Sequence, residues 1–189
     1  MARRVLIVVV AVIAIILGVI QIMRGLHLMS HKYPANSPRH EMEDPLMDAW
    51  VSKSCYLLVP KGWDQKDLGA GGTMFSAPKS GGISANLIVI SEPFAGSLRQ
   101  YVDATLSSVK AASPGAQKVS DTAFATNDDG RGYKVGLRNK IKGIDLAQTI
   151  YFFDGKYGKK TTITTSAAAA QAGELEPLFD QGVKAATLY

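Results

Sequence analysis

IDLAQTIYFFDGKYGKKTTITT, residues 144–165, decides the fold: it reads as a strand, a tight turn and a returning strand. Ile144, Leu146, Ile150 and Phe152 fall on one face at the period of two that a pleated strand imposes. Asp154-Gly155 supplies a hairpin signal, with the glycine expected where the backbone needs a positive φ. Residues 159–165 (KKTTITT) are rich in β-branched threonine, which suits a strand.

The same pattern extends outward. In Gly132–Asn139, Tyr133, Val135 and Leu137 alternate with Lys134, Gly136 and Arg138, and residues 140–143 turn the chain into the quoted hairpin. Residues 117–124 are expected as an edge or connecting strand. Residues 83–91 (ISANLIVIS) are apolar on both faces from Leu87 to Ile90, so layers should pack on both sides of the sheet. Shorter strands are expected at Cys55–Val59 and Gly71–Ala77.

Two helices complete the pattern. Ser97 followed by Gln100 has capping-box spacing, and Leu98, Tyr101, Val102, Leu106 and Val109 form a stripe at steps of three and four. Residues 172–187 are expected as a second helix, with Leu175, Leu178, Phe179, Val183 and Ala186 inward and Pro177 near its start. The order β-β-β-α-β-β-β-β-α, with connections too short for parallel crossovers, predicts an α+β fold. An antiparallel β-sheet is sandwiched by helices.

Ahead of this module lies VLIVVVAVIAIILGVIQIM, Val5 to Met23, without a charge. As a helix it would rise ~28 Å, close to the ~30 Å of a bilayer core. Val5, Leu6, Ile7, Ile13, Ile16, Leu17, Ile20 and Met23 would belong to the membrane anchor. The run exceeds a signal-peptide core, and no small-x-small cleavage pattern follows it, so a retained signal-anchor is expected. Arg3 and Arg4 favour a cytoplasmic N-terminus, although Arg24, Lys32 and Arg39 pull the other way. The expected organisation is a transmembrane anchor over residues 1–24, a stalk over 25–50 broken by Pro34, Pro38 and Pro45, and one domain over 51–189. The expected location is a single-pass inner (cytoplasmic) membrane protein with its C-terminal domain periplasmic or otherwise extracytoplasmic.

Charge excludes one class of partner. The chain has 21 Lys+Arg against 16 Asp+Glu, but Arg3, Arg4 and Arg24 flank the apolar run. The rest is nearly balanced, so nucleic acid is not an expected partner. The lone Cys55, in the apolar run CYLLV, reads as a buried small residue and excludes an internal disulfide scaffold.

Catalytic patterns are sparse. His27, His31 and His40 all precede the module, which leaves no Ser-His-acid triad within it. His27 and His31 are four apart, but no further ligand follows at metal-site spacing. Asn127-Asp128-Asp129-Gly130 lacks the alternating ligands and closing glutamate of a calcium loop and reads as a turn. The glycines at 69–72 and 81–82 lack the Gly-Lys-Ser/Thr of a phosphate loop. Glu174 and Glu176 suit a helix start, where negative charge meets the dipole. No catalytic residue, metal or cofactor is expected, and the protein is read as not an enzyme. Arg131, Lys156, Lys159 and Lys160 are candidates for contact with lipid headgroups or an acidic partner, against the plainer reading of edge lysines that discourage aggregation.

The chain also resembles the PsbP-like/DcrB-like family. The resemblance rests on Tyr56-Leu57-Leu58-Val59-Pro60-Lys61-Gly62-Trp63, similar to the family's opening strand and P-x-G-W turn, and on Asn86-Leu87-Ile88-Val89-Ile90, similar to its central strand. Ser97-Leu98-Arg99-Gln100-Tyr101 is similar to its helix start, and residues 148–157 with 161–164 to its long final hairpin. It covers about residues 52–188, and the uncleaved anchor and long stalk depart from it. The resemblance implies a non-catalytic domain that binds protein partners.

The expected function is therefore a membrane-tethered extracytoplasmic protein-interaction module, an accessory subunit of a larger membrane complex, which the resemblance narrows to a photosynthetic or redox one. The alternative is a small-ligand or lipid-binding protein of the cell envelope. That alternative needs a cavity between helix and sheet, lined by Tyr101, Tyr133 and Phe152.

Overall fold

The computed structural model describes residues 46–69, 71–78, 83–141 and 143–189. Its strands are β1 (Met47–Val51), β2 (Cys55–Pro60), β3 (Asp64–Gly69), β4 (Gly72–Ser76), β5 (Asn86–Pro93), β6 (Gln117–Ala125), β7 (Arg131–Ile141), β8 (Ile144–Asp154), β9 (Lys159–Ala168) and β10 (Thr187–Leu188). Helix α1 (Leu98–Ala112) follows β5, and α2 (Ala172–Lys184) follows β9.

A seven-stranded sheet runs β3-β4-β5-β9-β8-β7-β6, every neighbouring pair antiparallel. A separate three-stranded sheet runs β1-β2-β10. The expected α+β architecture holds, but the covering of the large sheet is unequal. One face carries α1, whose Tyr101, Val102 and Val109 pack with Val135, Leu137, Ile150 and Phe152. The other carries α2 together with the small sheet. There Trp50, Cys55, Leu57, Val59, Phe179 and Val183 meet Phe75, Leu87, Val89, Tyr151, Phe153 and Ile163.

Strand β8 shows why the sequence looks apolar on both sides. Ile150 and Phe152 enter the α1 core, while Tyr151 and Phe153 enter the α2 core. Period two divides one apolar run between two interiors. Strand β9 lies at the centre between β5 and β8 and is buried on both faces. Its threonines and serine keep partners there: Ser91 Oγ lies 3.1 Å from Thr161 Oγ1, and Gln148 Nε2 donates to Ser166 Oγ at 3.1 Å.

Helix α1 starts as its spacing predicts. Ser97 Oγ accepts from the Gln100 N–H at 3.2 Å, and Gln100 Oε1 accepts from the Ser97 N–H at 2.9 Å. Helix α2 ends sooner than expected, at Lys184, because residues 187–188 leave it to pair with β2 as β10. Pro177 lies inside α2 rather than in its first turn.

Three further differences concern β1, β3 and the hairpin. Residues 47–50, read as the end of the stalk, belong to β1, and Met47 and Trp50 are buried. Asp64–Gly69 is an edge strand whose side chains are nearly all exposed, so no apolar alternation announces it. The hairpin between β8 and β9 turns later than Asp154-Gly155. Its positive-φ residues are Tyr157 (φ 59) and Gly158 (φ 69), not Gly155.

The expected anchor, with Val5, Leu6, Ile7, Ile13, Ile16, Leu17, Ile20 and Met23, lies outside the described residues, as do His27, His31 and His40. Among the described residues no helix is long and apolar enough to cross a membrane.

Candidate functional site

Strand β7 turns Lys134 away from the α1 core, onto the face that α2 covers. There its ammonium lies 2.8 Å from Asp180 Oδ2 and 2.9 Å from Glu176 Oε1. The phenol of Tyr151, from neighbouring β8, donates to Asp180 Oδ1 at 2.6 Å. Glu176 and Asp180 are four apart, one helical turn, so both carboxylates descend from the same side of α2. Burial alone would lower the Lys134 pKa, but the bonds to Asp180 and Glu176 outweigh it and hold it above the usual lysine value. Burial, then the adjacent Asp180, push the Tyr151 phenol far above its usual range. The cluster thus favours an ammonium on Lys134 and a neutral phenol on Tyr151.

Beside it an open groove of about 640 Å³ is lined by Asn127, Gly173, Glu176, Pro177, Asp180, Gln181 and Lys184. Its two carboxylates, Glu176 and Asp180, already face Lys134. From sequence alone, Glu174 and Glu176 suggest only helix-start charges. The spacing of Glu176 and Asp180 was visible, but their lysine lies on a distant strand.

A second buried polar pair sits under α1. Tyr101 Oη donates to Glu92 Oε1 at 2.7 Å. Burial, with the neighbouring Glu92 charge, raises the Tyr101 pKa far beyond its usual value. The Tyr101 ring meets Phe94 at 5.0 Å and Phe152 edge-on at 6.1 Å, and the Arg99 guanidinium lies 5.4 Å over the Tyr133 ring. Tyr101 and Phe152 are buried in the α1 core, and Tyr133 packs against it. On the outer side of α1, Arg99 forks onto Asp121 at 3.0 and 3.3 Å. That bond, with help from Lys118, draws the Asp121 carboxyl below its usual pKa.

Cys55 is fully buried, and burial pushes its thiol up to about 11, with the Ser52 and Ser54 hydroxyls pulling weakly the other way. It is a core residue, not a nucleophile at neutral pH. Asn127–Gly130 forms the β6–β7 turn, closed by Thr126 N–H to Gly130 O at 2.9 Å. Among the described residues no group of three or more His, Cys, Asp or Glu is placed to hold a metal ion.

The four basic candidates come to one end of the large sheet, but not as equals. Arg131 opens β7 and is exposed, Lys156 is exposed in the β8–β9 turn, and Lys159 is half-buried at the start of β9. Lys160 is buried and bonds Asp154, so it is withdrawn from the surface. Between them stands Tyr157, 94% exposed.

No protein-family model and no curated protein matches the chain. Solved structures do match its fold. Cyanobacterial PsbP (CyanoP) from Synechocystis aligns with a TM-score of 0.59 at 18% identity, over 83% of this chain and 100% of that one. The Ran-binding protein Mog1p of Saccharomyces cerevisiae aligns with a TM-score of 0.53 at 10% identity, over 75% of this chain and 96% of that one. PA94 of Pseudomonas aeruginosa, a protein of unknown function, aligns with a TM-score of 0.52 at 18% identity, over 73% of this chain and 94% of that one. At these identities the likeness concerns architecture alone. The large antiparallel sheet between α1 on one face and α2 on the other is the PsbP-like fold.

Proposed function

We propose that this chain is a membrane-tethered interaction module, an accessory subunit of a larger membrane complex, that works through its surface and not through bond-making chemistry. The observation that carries the reading is the internal pairing of the ionisable groups the fold gathers. Lys134 faces Glu176 and Asp180, and Tyr101 and Tyr151 each donate to a carboxylate. Their charge is spent on holding helices to the sheet.

The apolar run Val5–Met23 supports a single-pass signal-anchor in the inner membrane, with Arg3 and Arg4 favouring a cytoplasmic N-terminus and a periplasmic or otherwise extracytoplasmic domain. Anchoring raises the effective concentration of a weakly binding domain near a partner in the same membrane. The Ran-binding description of Mog1p supports protein binding as one use of this architecture. A photosynthetic or redox complex is the narrower form of the reading, favoured by the likeness to cyanobacterial PsbP.

Cross-linking in native membranes, detergent extraction and affinity purification of the full chain test the proposal. The expected product is a discrete larger assembly containing an integral membrane protein in fixed proportion. A monodisperse monomer without such a partner would count against it.

A further inference from the structure

The β8–β9 turn presents an exposed aromatic residue where the backbone disfavours one. Tyr157 has φ 59 and Gly158 φ 69, and Lys159 N–H closes the turn on Lys156 O at 3.3 Å. Two successive positive φ values are the signature of a type I′ turn, whose first central position favours Asn, Asp or Gly. A tyrosine there carries a β-carbon into the left-handed region. Its side chain gains little packing in return, because the residue is 94% exposed.

Other elements meet at this turn. Phe94 N–H donates to Gly158 O at 3.1 Å, Lys156 N–H to Tyr189 O at 3.2 Å, and Tyr189 N–H to Ser54 O at 2.8 Å. The β1–β2 turn thereby brings exposed Lys53 to the same end, and Arg131 adjoins Gly132, which pairs with Phe153 of β8. Exposed or half-exposed Lys53, Arg131, Lys156, Lys159, Tyr157 and Tyr189 surround the tip. Asp128 and Asp129 in the β6–β7 turn are among the nearby opposing charges, while Asp154 is engaged by Lys160.

We infer that the β8–β9 tip is a contact site for an anionic lipid surface, with Tyr157 at headgroup depth and Lys53, Arg131, Lys156 and Lys159 facing lipid phosphates. This inference rests on the membrane-tethered reading. Tyrosine is suited to a bilayer interface because its ring is apolar and its hydroxyl polar, and basic residues near an anionic surface each add to attraction. The chain geometry permits it. The domain begins beside Leu46, and β1 runs from there toward the Ser52–Ser54 turn at the tip end. The roughly 22 residues between Met23 and Leu46 span at most ~75 Å, several times the ~17 Å length of a five-residue strand.

The test uses the full chain carrying Tyr157→Trp, reconstituted in vesicles with brominated acyl chains, against the parent chain as background for Trp50 and Trp63. Vesicles of phosphatidylcholine alone are compared with vesicles containing phosphatidylglycerol. The expected result is a blue shift and quenching of the introduced indole in the anionic vesicles, weakened by salt. Lys156→Gln and Lys159→Gln should each reduce the contact constant about fivefold. Emission like that of a water-exposed indole in both vesicles, or equal quenching in both, would overturn the inference. Retention after alkaline carbonate extraction reports separately on the apolar run. A retained but unquenched chain ends the inference and leaves the tether standing. A chain released by carbonate but quenched beforehand keeps the contact site and ends the tether. A released and unquenched chain ends both.

Discussion

Asp180 is the residue on which the α2 side of the domain turns, since one carboxylate serves both Lys134 and Tyr151. Asp180→Ala would leave Lys134 with Glu176 alone and the Tyr151 hydroxyl without its acceptor. The cluster is only partly exposed, with side-chain exposures of 18% for Lys134 and 27% for Asp180. The cost should therefore fall between that of a surface pair and a buried one, about 2 kcal/mol. Urea unfolding of the full chain in detergent measures it, and an unchanged midpoint would contradict the role given to Asp180. The pH dependence has a fixed sign. Because the Lys134 pKa is raised, its contribution is complete below the ordinary lysine value and is lost as pH rises through the raised folded value. Asp121 behaves in the opposite sense: its pKa is lowered, so its contribution is present above the ordinary carboxylate value and is lost as pH falls through the depressed one. The Lys134 side of this cluster was illegible in the sequence because Lys134 looks like any outward residue of an alternating strand. Tyr157 was hidden for another reason, since Asp154-Gly155 offered a stronger turn signal three residues earlier.

At the scale of elements, α2 lies close against β2. A β-carbon on Gly182 would stand 2.3 Å from Leu58 O and 2.8 Å from Met47 Cε, so only glycine lets the helix lie this close to the small sheet. Gly182→Ala should force α2 away and lower stability by about 2–3 kcal/mol. Thermal unfolding of the variant checks this, and an unchanged Tm would show that the small sheet is free to shift. The elements that were legible carry strong local codes: the Ser97–Gln100 capping box, the stripe of α1, and the alternation of β7 and β8. The elements that were missed lack them. Strand β3 is an exposed edge held by pairing with β4, β10 has only Thr187 and Leu188, and β1 places its buried Met47 and Trp50 three apart, outside strict alternation. The central place of β9 depends on pairing with β5, far upstream in the chain, which no local pattern encodes.

At the scale of the whole molecule, sequence and structure carry different parts of the account. The PsbP-like domain accounts for packing and for the hydrogen-bonded polar groups inside it, while the tether rests on the uncharged run Val5–Met23. The two parts meet only if the mature chain keeps that run. The most direct measurement is amino-terminal sequencing of the protein recovered from carbonate-washed membranes of its native cells. The account predicts that the chain stays in the membrane pellet and that its sequence begins ahead of Val5. Recovery in the supernatant as a chain beginning beyond Arg24 would contradict it.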